Sequence, residues 1–316
     1  MIDPMNRHRT AVRLSVLLFA LYSVVCLVLG VALAESSLRL RKLPLRAIEE
    51  HRSRIREKFH VEIADVALTA ADGAILKAWF IQPLDANGQS VIILHGITAN
   101  RVDSTGFAEM FLNQGYSVLM PDSREHGESG GIIATYGILE KQDVNLWTQW
   151  LRQRAAGCTY LLGESMGAAI GLQATAVSPN LCAVAVESPY STFREISYER
   201  LGRGTHTGTL FWRSVGRPVI EVAIAYTRLR YGIYLPDADP EAAVEHSTVP
   251  SLLIAGTADN NIPMHHAQEL EGVCATHCAL WIVPGADHGG VSTVAYIEFE
   301  RRILDWFQTH GESRPR

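Results

Sequence analysis

The stretch Gly163-Glu164-Ser165-Met166-Gly167 decides the fold of this 316-residue chain, because it joins a short apolar run to a helical one. Residues 160–162 before it have the character of a buried strand, and residues 166–177 after it that of a helix. A strand that turns so sharply into a helix needs very small residues two positions on either side of the serine. We therefore predict that the Ser165 hydroxyl projects at a helix N-terminus, where developing negative charge is favoured.

Seven further strands are predicted around this turn. Residues 61–68 alternate at period two and reach residues 74–81 through the turn Ala71-Asp72-Gly73, which predicts a hairpin. Short apolar runs follow at residues 91–94, 116–120, 181–186, 252–255 and 280–283, and helical stretches separate them, notably 138–154, 166–177 and 292–309. This alternation predicts an α/β fold with a mostly parallel eight-stranded sheet flanked by helices.

Two reactive side chains follow later strands of the predicted sheet, at the edge where such folds bind ligands. Asp259 comes after residues 252–255, and His288 comes after residues 280–283. A serine hydroxyl is a weak nucleophile, so a base must take its proton and an acid must orient the base. Ser165, Asp259 and His288 supply nucleophile, acid and base in that chain order.

Each of these assignments has an alternative. Asp259 could instead cap a helix that begins near Pro263, and His288 could be an ordinary loop histidine. Glu187 also follows a strand and is a second candidate for the acid. The tetrahedral intermediate needs two backbone N–H groups, which we expect from Met166 and from Ile97, the residue after Gly96.

Further motifs surround these residues. The stretch His95-Gly96-Ile97-Thr98-Ala99-Asn100-Arg101, then Asp122-Ser123-Arg124-x-His126-Gly127-x-Ser129-Gly130 and Glu187-Ser188-Pro189-Tyr190, resembles the bacterial α/β-hydrolases with a small lid. The resemblance covers about residues 60–310 and implies the α/β-hydrolase fold. That family includes acyl-ester hydrolases, peptidases acting near N-termini and membrane-anchored members. Glu125 departs from the pattern, because relatives usually have a small residue such as glycine there.

Three functions are compatible with these residues. The first is a serine hydrolase of the carboxylesterase type, which cleaves a small-molecule ester or thioester through the Ser-His-Asp triad and an acyl-enzyme intermediate. The second is a serine peptidase, which would need an acidic anchor for a substrate amino group, with Glu125, Glu128 or Glu187 as candidates. The third is a non-catalytic membrane scaffold, against which the intact triad argues.

Residues 189–249 have no place in the sheet and predict a small helical lid. Within them, apolar residues recur at three and four over residues 209–231, which predicts one helix with an apolar face over the pocket mouth. We expect a shallow acyl pocket that favours short- to medium-chain esters, lined by Ile97, Tyr190, Phe211 and Trp212.

An uncharged apolar run occupies residues 14–34 and would span about 31 Å as a helix at ~1.5 Å per residue. It predicts a single-pass membrane anchor, or a signal peptide whose cleavage after Ala32-Leu33-Ala34 gives a secreted or periplasmic protein. We divide the chain into this segment (1–35), a basic linker (36–60) and the α/β domain (61–312). The linker predicts a helix broken near Pro44, lying either on anionic headgroups or in solvent.

Charge is distributed unevenly. Residues 1–60 carry 11 Lys/Arg against five acids, a net of +6, and the remaining 17 basic and 28 acidic residues leave −11. Three of the early basic residues precede the apolar run and eight follow it, so the side of the membrane that holds the domain stays open. We do not expect a domain with this net negative charge to bind nucleic acid, because binding to phosphates requires clustered Lys and Arg.

No cofactor or metal is expected, because His265-His266 and Cys274-x-x-x-Cys278 lack the paired ligand spacing of a zinc site. We interpret these cysteines as core or surface thiols. Cys158 and Cys182 begin neighbouring strands, where a disulfide is conceivable, but two buried thiols are the favoured interpretation. The sequence patterns leave the oligomeric state open.

Overall fold

The computed structural model describes residues 4–311 apart from 41, 156 and 275, with the backbone alone for residues 4–7. The expected end of the α/β domain at residue 312 lies outside the described residues. The chain divides into two compact units. The helical unit comprises Met1–Leu38 and Ser197–Leu235, and the sheet unit comprises Arg39–Ile196 and Pro236–Arg316.

The sheet unit contains one eight-stranded sheet. Its strands are β1 (Ile63–Thr69), β2 (Ile75–Ile81), β3 (Ser90–Leu94), β4 (Ser117–Pro121), β5 (Thr159–Glu164), β6 (Leu181–Glu187), β7 (Ser251–Gly256) and β8 (Cys278–Val283). They lie in the order β1-β2-β4-β3-β5-β6-β7-β8. β2 is antiparallel to both its neighbours, and every other pairing is parallel. The predicted α/β class with a mostly parallel eight-stranded sheet is therefore confirmed.

Helices cover both faces of this sheet. Those of the sheet unit are α2 (Ile48–Phe59), α3 (Thr105–Leu112), α4 (Glu140–Arg152), α5 (Met166–Thr175), α9 (Pro240–Glu245), α10 (His265–Val273), α11 (Val291–Val294) and α12 (Tyr296–Gly311). Alternate residues of one strand serve the two faces. Val91 and Ile93 join the core formed with α2, α3 and α12, whereas Ile92 and Leu94 join the core formed with α4, α5, α9 and α10.

The linker prediction for residues 36–60 is corrected by the structure. The first helix of the chain, α1, continues to Leu38, and the chain becomes helical again only in α2. Ile55 of α2 is fully buried in the core, so one face of α2 packs on the sheet unit. Its basic residues pair with acids of the same unit, for example Arg52 with Asp65 at 2.9 Å and Arg54 with Glu109 at 2.9 Å.

The helical unit contains α1 (Pro4–Leu38), α7 (Thr209–Arg213) and α8 (Arg217–Tyr231), and α6 (Phe193–Gly204) begins four residues before its boundary. Residues 209–231 are therefore two helices and not the single helix expected. The break follows from the local sequence, because a Cβ on Gly216 would lie 2.7 Å from the Trp212 ring and Pro218 lacks the N–H that a continuous helix needs.

Among the described residues, one helix is long and apolar enough to cross a membrane, His8–Leu38. A signal sequence satisfies the same two criteria. Most of the large apolar side chains of the helix His8–Leu38 are exposed, including Leu17, Phe19 and Val28.

Candidate active site

Ser165 lies at the turn between β5 and α5, as the sequence predicts. Its backbone has φ 56° and ψ −114°, a conformation that L-residues rarely adopt. Both flanking glycines are required, because a Cβ at either position would clash with backbone atoms. A Cβ on Gly163 would lie 2.5 Å from the Gly167 carbonyl oxygen, and one on Gly167 would lie 2.4 Å from the Leu94 carbonyl oxygen. The turn can therefore form only with glycine at both positions.

His288 lies between the other two residues of the predicted constellation. Its Nε2 is 2.9 Å from the Ser165 Oγ, and its Nδ1 is 2.9 Å from the Asp259 Oδ2. The Asp259 side chain is almost wholly buried and the imidazole is 23% exposed. In the tautomer that suits both contacts, Nδ1–H donates to the carboxylate and Nε2 accepts from the hydroxyl. Parallel strands β5, β7 and β8 bring the three residues together from distant parts of the chain.

Asp259 also holds its own loop. Its Oδ1 accepts hydrogen bonds from the backbone N–H groups of Asn261 and Ile262, both at 2.8 Å. Burial acts to raise the pKa of Asp259, but the hydrogen bonds from His288 and Ile262 outweigh it, and the pKa lies below its ordinary value. The cap-like bonds and the contact with His288 use different oxygens, so the two interpretations of Asp259 are compatible.

Glu187, the second candidate for the acid, has a different partner. Its Oε1 accepts from the Val291 N–H at 2.9 Å, and its Oε2 has no hydrogen-bond partner among the described residues. Burial, reinforced by the neighbouring carboxyls of Glu164 and Asp259, raises the pKa of Glu187 to about 8. Glu187 is therefore a neutral acid at pH 7 that binds the segment just after His288.

The turn after β3 lies against the serine. A Cβ on Gly96 would be 3.5 Å from the Ser165 Cβ, so the backbone at Gly96 closely approaches Ser165. Met166 is the first residue of α5, where a helix leaves N–H groups without intrahelical partners. The assignment of the Ile97 and Met166 N–H groups to an oxyanion hole fits this arrangement and stays a prediction.

His95 fixes the turn, a role that sequence reasoning missed. Its Nδ1–H donates to the Gly96 carbonyl at 2.8 Å, and its Nε2 accepts from the Ser123 N–H at 3.0 Å. Burial, with a smaller contribution from His126, lowers the pKa of His95 to about 3, so the ring stays neutral. The available signal was its position directly after a buried strand.

Glu164 is a second residue that the motif hides, because its position in Gly-x-Ser-x-Gly is unrestricted. A Cβ on Gly289 would meet its Oε1 at 2.5 Å and one on Gly96 at 3.9 Å, which places the carboxyl between the segments that carry His288 and Ile97. Burial raises the pKa of Glu164 above its ordinary value.

The acids proposed for a peptidase anchor all have partners within the sheet unit. Arg101 pairs with Glu128 and with the buried Asp122, and Lys42 lies 3.8 Å from the Glu125 carboxylate. Glu125 has φ 61°, a left-handed backbone conformation that favours glycine, which fits its departure from the expected pattern.

The residues expected to line the pocket fall in both units. Ile97 is partly buried against the core of the sheet unit. Tyr190 is 4% exposed and donates its hydroxyl to the Tyr136 carbonyl at 3.1 Å. Phe211 and Trp212 belong to α7 of the helical unit, where their rings meet edge to face at 5.7 Å. The pocket assignment of these residues stays a prediction.

The cysteines correct the sequence interpretation, because both pairs are bonded. Cys158 is joined to Cys182, and Cys274 to Cys278. The strand starts of β5 and β6 are neighbours, which places the first pair within bridging distance, and one helical turn separates the second pair. The ligand atoms of Cys274, His277 and Cys278 lie within 4.8 Å of one another, but both sulfurs are used in the disulfide.

Fold and site together define an α/β protein with a hydrogen-bonded serine, histidine and aspartate at the carboxyl edge of its sheet. Residues 91–299 match the model of the alpha/beta hydrolase family, and the chain belongs to this family. The uncharacterized protein YqkD of Bacillus subtilis is 26% identical over 250 residues, which cover 78% of this chain and 79% of YqkD. YfhR of Escherichia coli K12 is 24% identical over 238 residues, covering 71% and 72%.

Solved structures show the same fold. The Pyrococcus furiosus esterase Pf2001 superposes with a TM-score of 0.69 at 21% identity, covering 87% of this chain and 99% of the esterase. The esterase EaEST of Exiguobacterium antarcticum superposes with a TM-score of 0.56 at 18% identity, covering 78% and 100%.

Proposed function

We propose that this protein is a serine hydrolase that cleaves carboxylic ester or thioester bonds through Ser165, His288 and Asp259. The observation that carries the proposal is the continuous hydrogen-bonded chain from the Ser165 Oγ through both ring nitrogens of His288 to the Asp259 carboxylate. The two esterases that share the fold support this choice of substrate class.

The proposed reaction follows from this geometry. His288 Nε2 takes the hydroxyl proton as the Ser165 Oγ attacks the acyl carbon, and the N–H groups of Ile97 and Met166 stabilise the oxyanion. The imidazolium then returns the proton to the leaving alkoxide or thiolate, which leaves an acyl-enzyme. Water attacks the acyl carbon with His288 again as the base, and His288 then returns that proton to the Ser165 Oγ as the acid product departs.

Ester cleavage is favoured over peptide cleavage by the charges around the site. A substrate ammonium would need an unpaired carboxylate, whereas Glu125 and Glu128 face Lys42 and Arg101, and Glu187 is neutral at pH 7. An ester with an apolar acyl group requires no such anchor. We retain short- to medium-chain esters as the proposed substrates.

Labelling with a fluorophosphonate probe tests the nucleophile. Ser165→Ala should abolish labelling and lower the turnover of p-nitrophenyl esters by on the order of 10⁴–10⁶, with His288→Ala equivalent and the two losses not additive. A folded Ser165→Ala protein with near-wild-type activity would contradict the mechanism. A parallel panel of aminoacyl amides separates esterase from peptidase.

We also propose that α1 is an uncleaved membrane anchor. Cleavage after Ala34 would remove the part of α1 against which α8 packs, where a Cβ on Gly30 would lie 2.6 Å from Val222. The full-length protein should remain in the membrane fraction after a carbonate wash. Recovery of a mature chain that begins at Glu35 would overturn the anchor and establish a signal peptide.

A further inference from the structure

The second segment of the helical unit, Ser197–Leu235, differs in charge from the rest of the chain after residue 60. Ser197–Leu235 carries six Arg against two Glu, a net of +4, whereas all other residues after 60 sum to −15. Its large apolar side chains are also exposed where α7 turns into α8, with Leu210 80%, Val215 56% and Phe211 38% exposed. A segment that is both cationic and apolar at its surface has the composition of a membrane-binding element.

This segment runs beside the apolar helix, in the same direction. Tyr22 of α1 donates its hydroxyl to the Val215 carbonyl at 2.5 Å. Further along, Gly30 lies against Val222. At the end of both helices, the Glu35 Oε1 accepts from Tyr226 and Tyr231, both at 2.6 Å. The start of α8 is therefore level with the middle of the apolar run, and the end of α8 is level with its last residue.

Several backbone groups of the turn between α7 and α8 have hydrogen-bond partners within the helical unit. The N–H groups of Ser214 and Gly216 donate to the Phe211 carbonyl at 3.2 and 2.9 Å, and the Ser214 Oγ donates to the Leu210 carbonyl at 2.7 Å. The Val215 carbonyl is the acceptor of the Tyr22 hydroxyl. Non-helical backbone is tolerated at hydrocarbon depth only when its polar groups have partners in the protein.

An open groove of about 510 Å³ runs along the same hairpin. It is lined by Ser214, Arg217, Pro218, Glu221, Val222 and Ala225. Arg217 and Glu221 pair with each other at 3.2 Å, which reduces the charge that the start of α8 would carry into a low-dielectric medium.

We propose that the α7–α8 hairpin is a second membrane element, immersed in the same leaflet as the C-terminal half of α1. Tyr22 lies 13 residues before Glu35, roughly 20 Å along the helix at ~1.5 Å per residue. If α1 crosses the bilayer with Glu35 at its surface, the hydrogen bond to Val215 places the hairpin turn within the acyl chains. The ring hydroxyls of Tyr226 and Tyr231 then lie at the headgroup level, where tyrosine is favoured. This inference rests on the proposed anchor.

Environment-sensitive labelling of the full chain in nanodiscs tests the inference. Single sites are introduced in a Cys26→Ser background as Leu210→Cys or Val215→Cys and labelled with the fluorophore NBD, in discs of phosphatidylcholine and phosphatidylglycerol. Val16→Cys in α1 reports the anchor, and Leu84→Cys, an 85% exposed leucine of the sheet unit, reports water. Fluorophosphonate labelling of each variant at Ser165 establishes that it is folded.

The expected result is blue-shifted NBD emission at residues 210 and 215, quenched by brominated acyl chains about as strongly as at residue 16. Residue 84 should show neither effect. Quenching at residue 16 without quenching at 210 and 215 would overturn the hairpin and leave the anchor standing. Quenching at none of the three would overturn both membrane proposals. Neither outcome bears on the hydrolase proposal, which the probe labelling tests separately.

Discussion

Ser165 is held in a strained backbone conformation by bonds on both sides of it. Its N–H donates to the Glu187 carbonyl at 2.9 Å, and its carbonyl accepts from the Ala169 N–H at 3.1 Å. A left-handed φ at a non-glycine residue costs about 1–3 kcal/mol, so the surrounding strand and helix must maintain it. The side chain is consequently directed at His288 before any substrate arrives.

The identity of the acid is tested at Asp259. Asp259→Asn keeps an oxygen for the Asn261 and Ile262 N–H groups but presents an amide where His288 donates, so the imidazole adopts the wrong tautomer. We expect a folded protein whose turnover falls by up to about 10⁴. Glu187→Gln is the matched control, because Glu187 contacts Val291 and not His288. Loss of turnover in the control, with Asp259→Asn active, would reverse the assignment.

Glu187 should also make stability depend on pH. The folded state holds its proton up to a pKa of about 8, whereas the unfolded chain releases it near the ordinary value of 4.5. The folded state is therefore favoured below pH 4.5, and this contribution is lost as pH rises to about 8. The full loss is at most about 5 kcal/mol. Thermal unfolding between pH 5 and 8 should show a shallower decline for Glu187→Gln than for wild type. Parallel curves would show that Glu187 is ionised in the folded state.

At the scale of elements, the β5–α5 turn depends on backbone contacts that leave no room for a side chain. In Gly167→Ala the new Cβ would lie 2.4 Å from the Leu94 carbonyl oxygen and 2.7 Å from that of His95, neither of which can move alone. We expect a stability loss of about 1–3 kcal/mol and roughly 10²-fold slower probe labelling, since a displacement of ~1 Å is sufficient for that.

A second glycine of α5 provides the control for this prediction. In Gly171→Ala the nearest atom is the Cδ2 of Leu161 at 2.5 Å, the free end of a side chain that can rotate away. Alanine also gains about 1 kcal/mol of helix propensity over glycine. Melting temperature and labelling rate should therefore stay near wild type. Equal behaviour of the two alanine variants would refute the steric explanation of the turn.

Strand bounds were predicted to within a few residues, whereas helix bounds within residues 36–60, 209–231 and 292–309 were not. The strands predicted at 252–255 and 280–283 are observed at Ser251–Gly256 and Cys278–Val283. A strand buried on both faces has a continuous apolar run, which can be recognised in the sequence. Both helices in residues 209–231 bury apolar residues, as the spacing predicted. The spacing did not show that Gly216 and Pro218 interrupt the helix. Periodicity reports which face is apolar, whereas breaks depend on single residues.

At the scale of the whole molecule, the two disulfides imply an oxidising compartment for the sheet unit. We expect the N-terminus, with Arg7, Arg9 and Arg13, in the cytoplasm and the sheet unit outside it. Of the five cysteines, only Cys26 is then free. Maleimide-PEG added to denatured, unreduced membranes should give one adduct, and five after reduction. Five adducts without reduction would place the sheet unit in the cytoplasm.

The sequence by itself determined the sheet, the strand-to-helix turn at Ser165, the chain order of the three reactive residues and the apolar N-terminal helix. These features are local, because they depend on the spacing of apolar residues, glycines and reactive side chains along one stretch of chain. The position of His288 after the last strand also follows from this spacing.

Which of those residues touch depends on how the strands pack in three dimensions. His288 lies 29 residues from Asp259 and 123 from Ser165, and its choice of Asp259 over Glu187 depends on how β6, β7 and β8 pack side by side. The cysteine bonds and the contact of α8 with α1 are likewise long-range. Burial, which raises the pKa of Glu187 and lowers that of His95, is a property of the packed molecule and has no local signature.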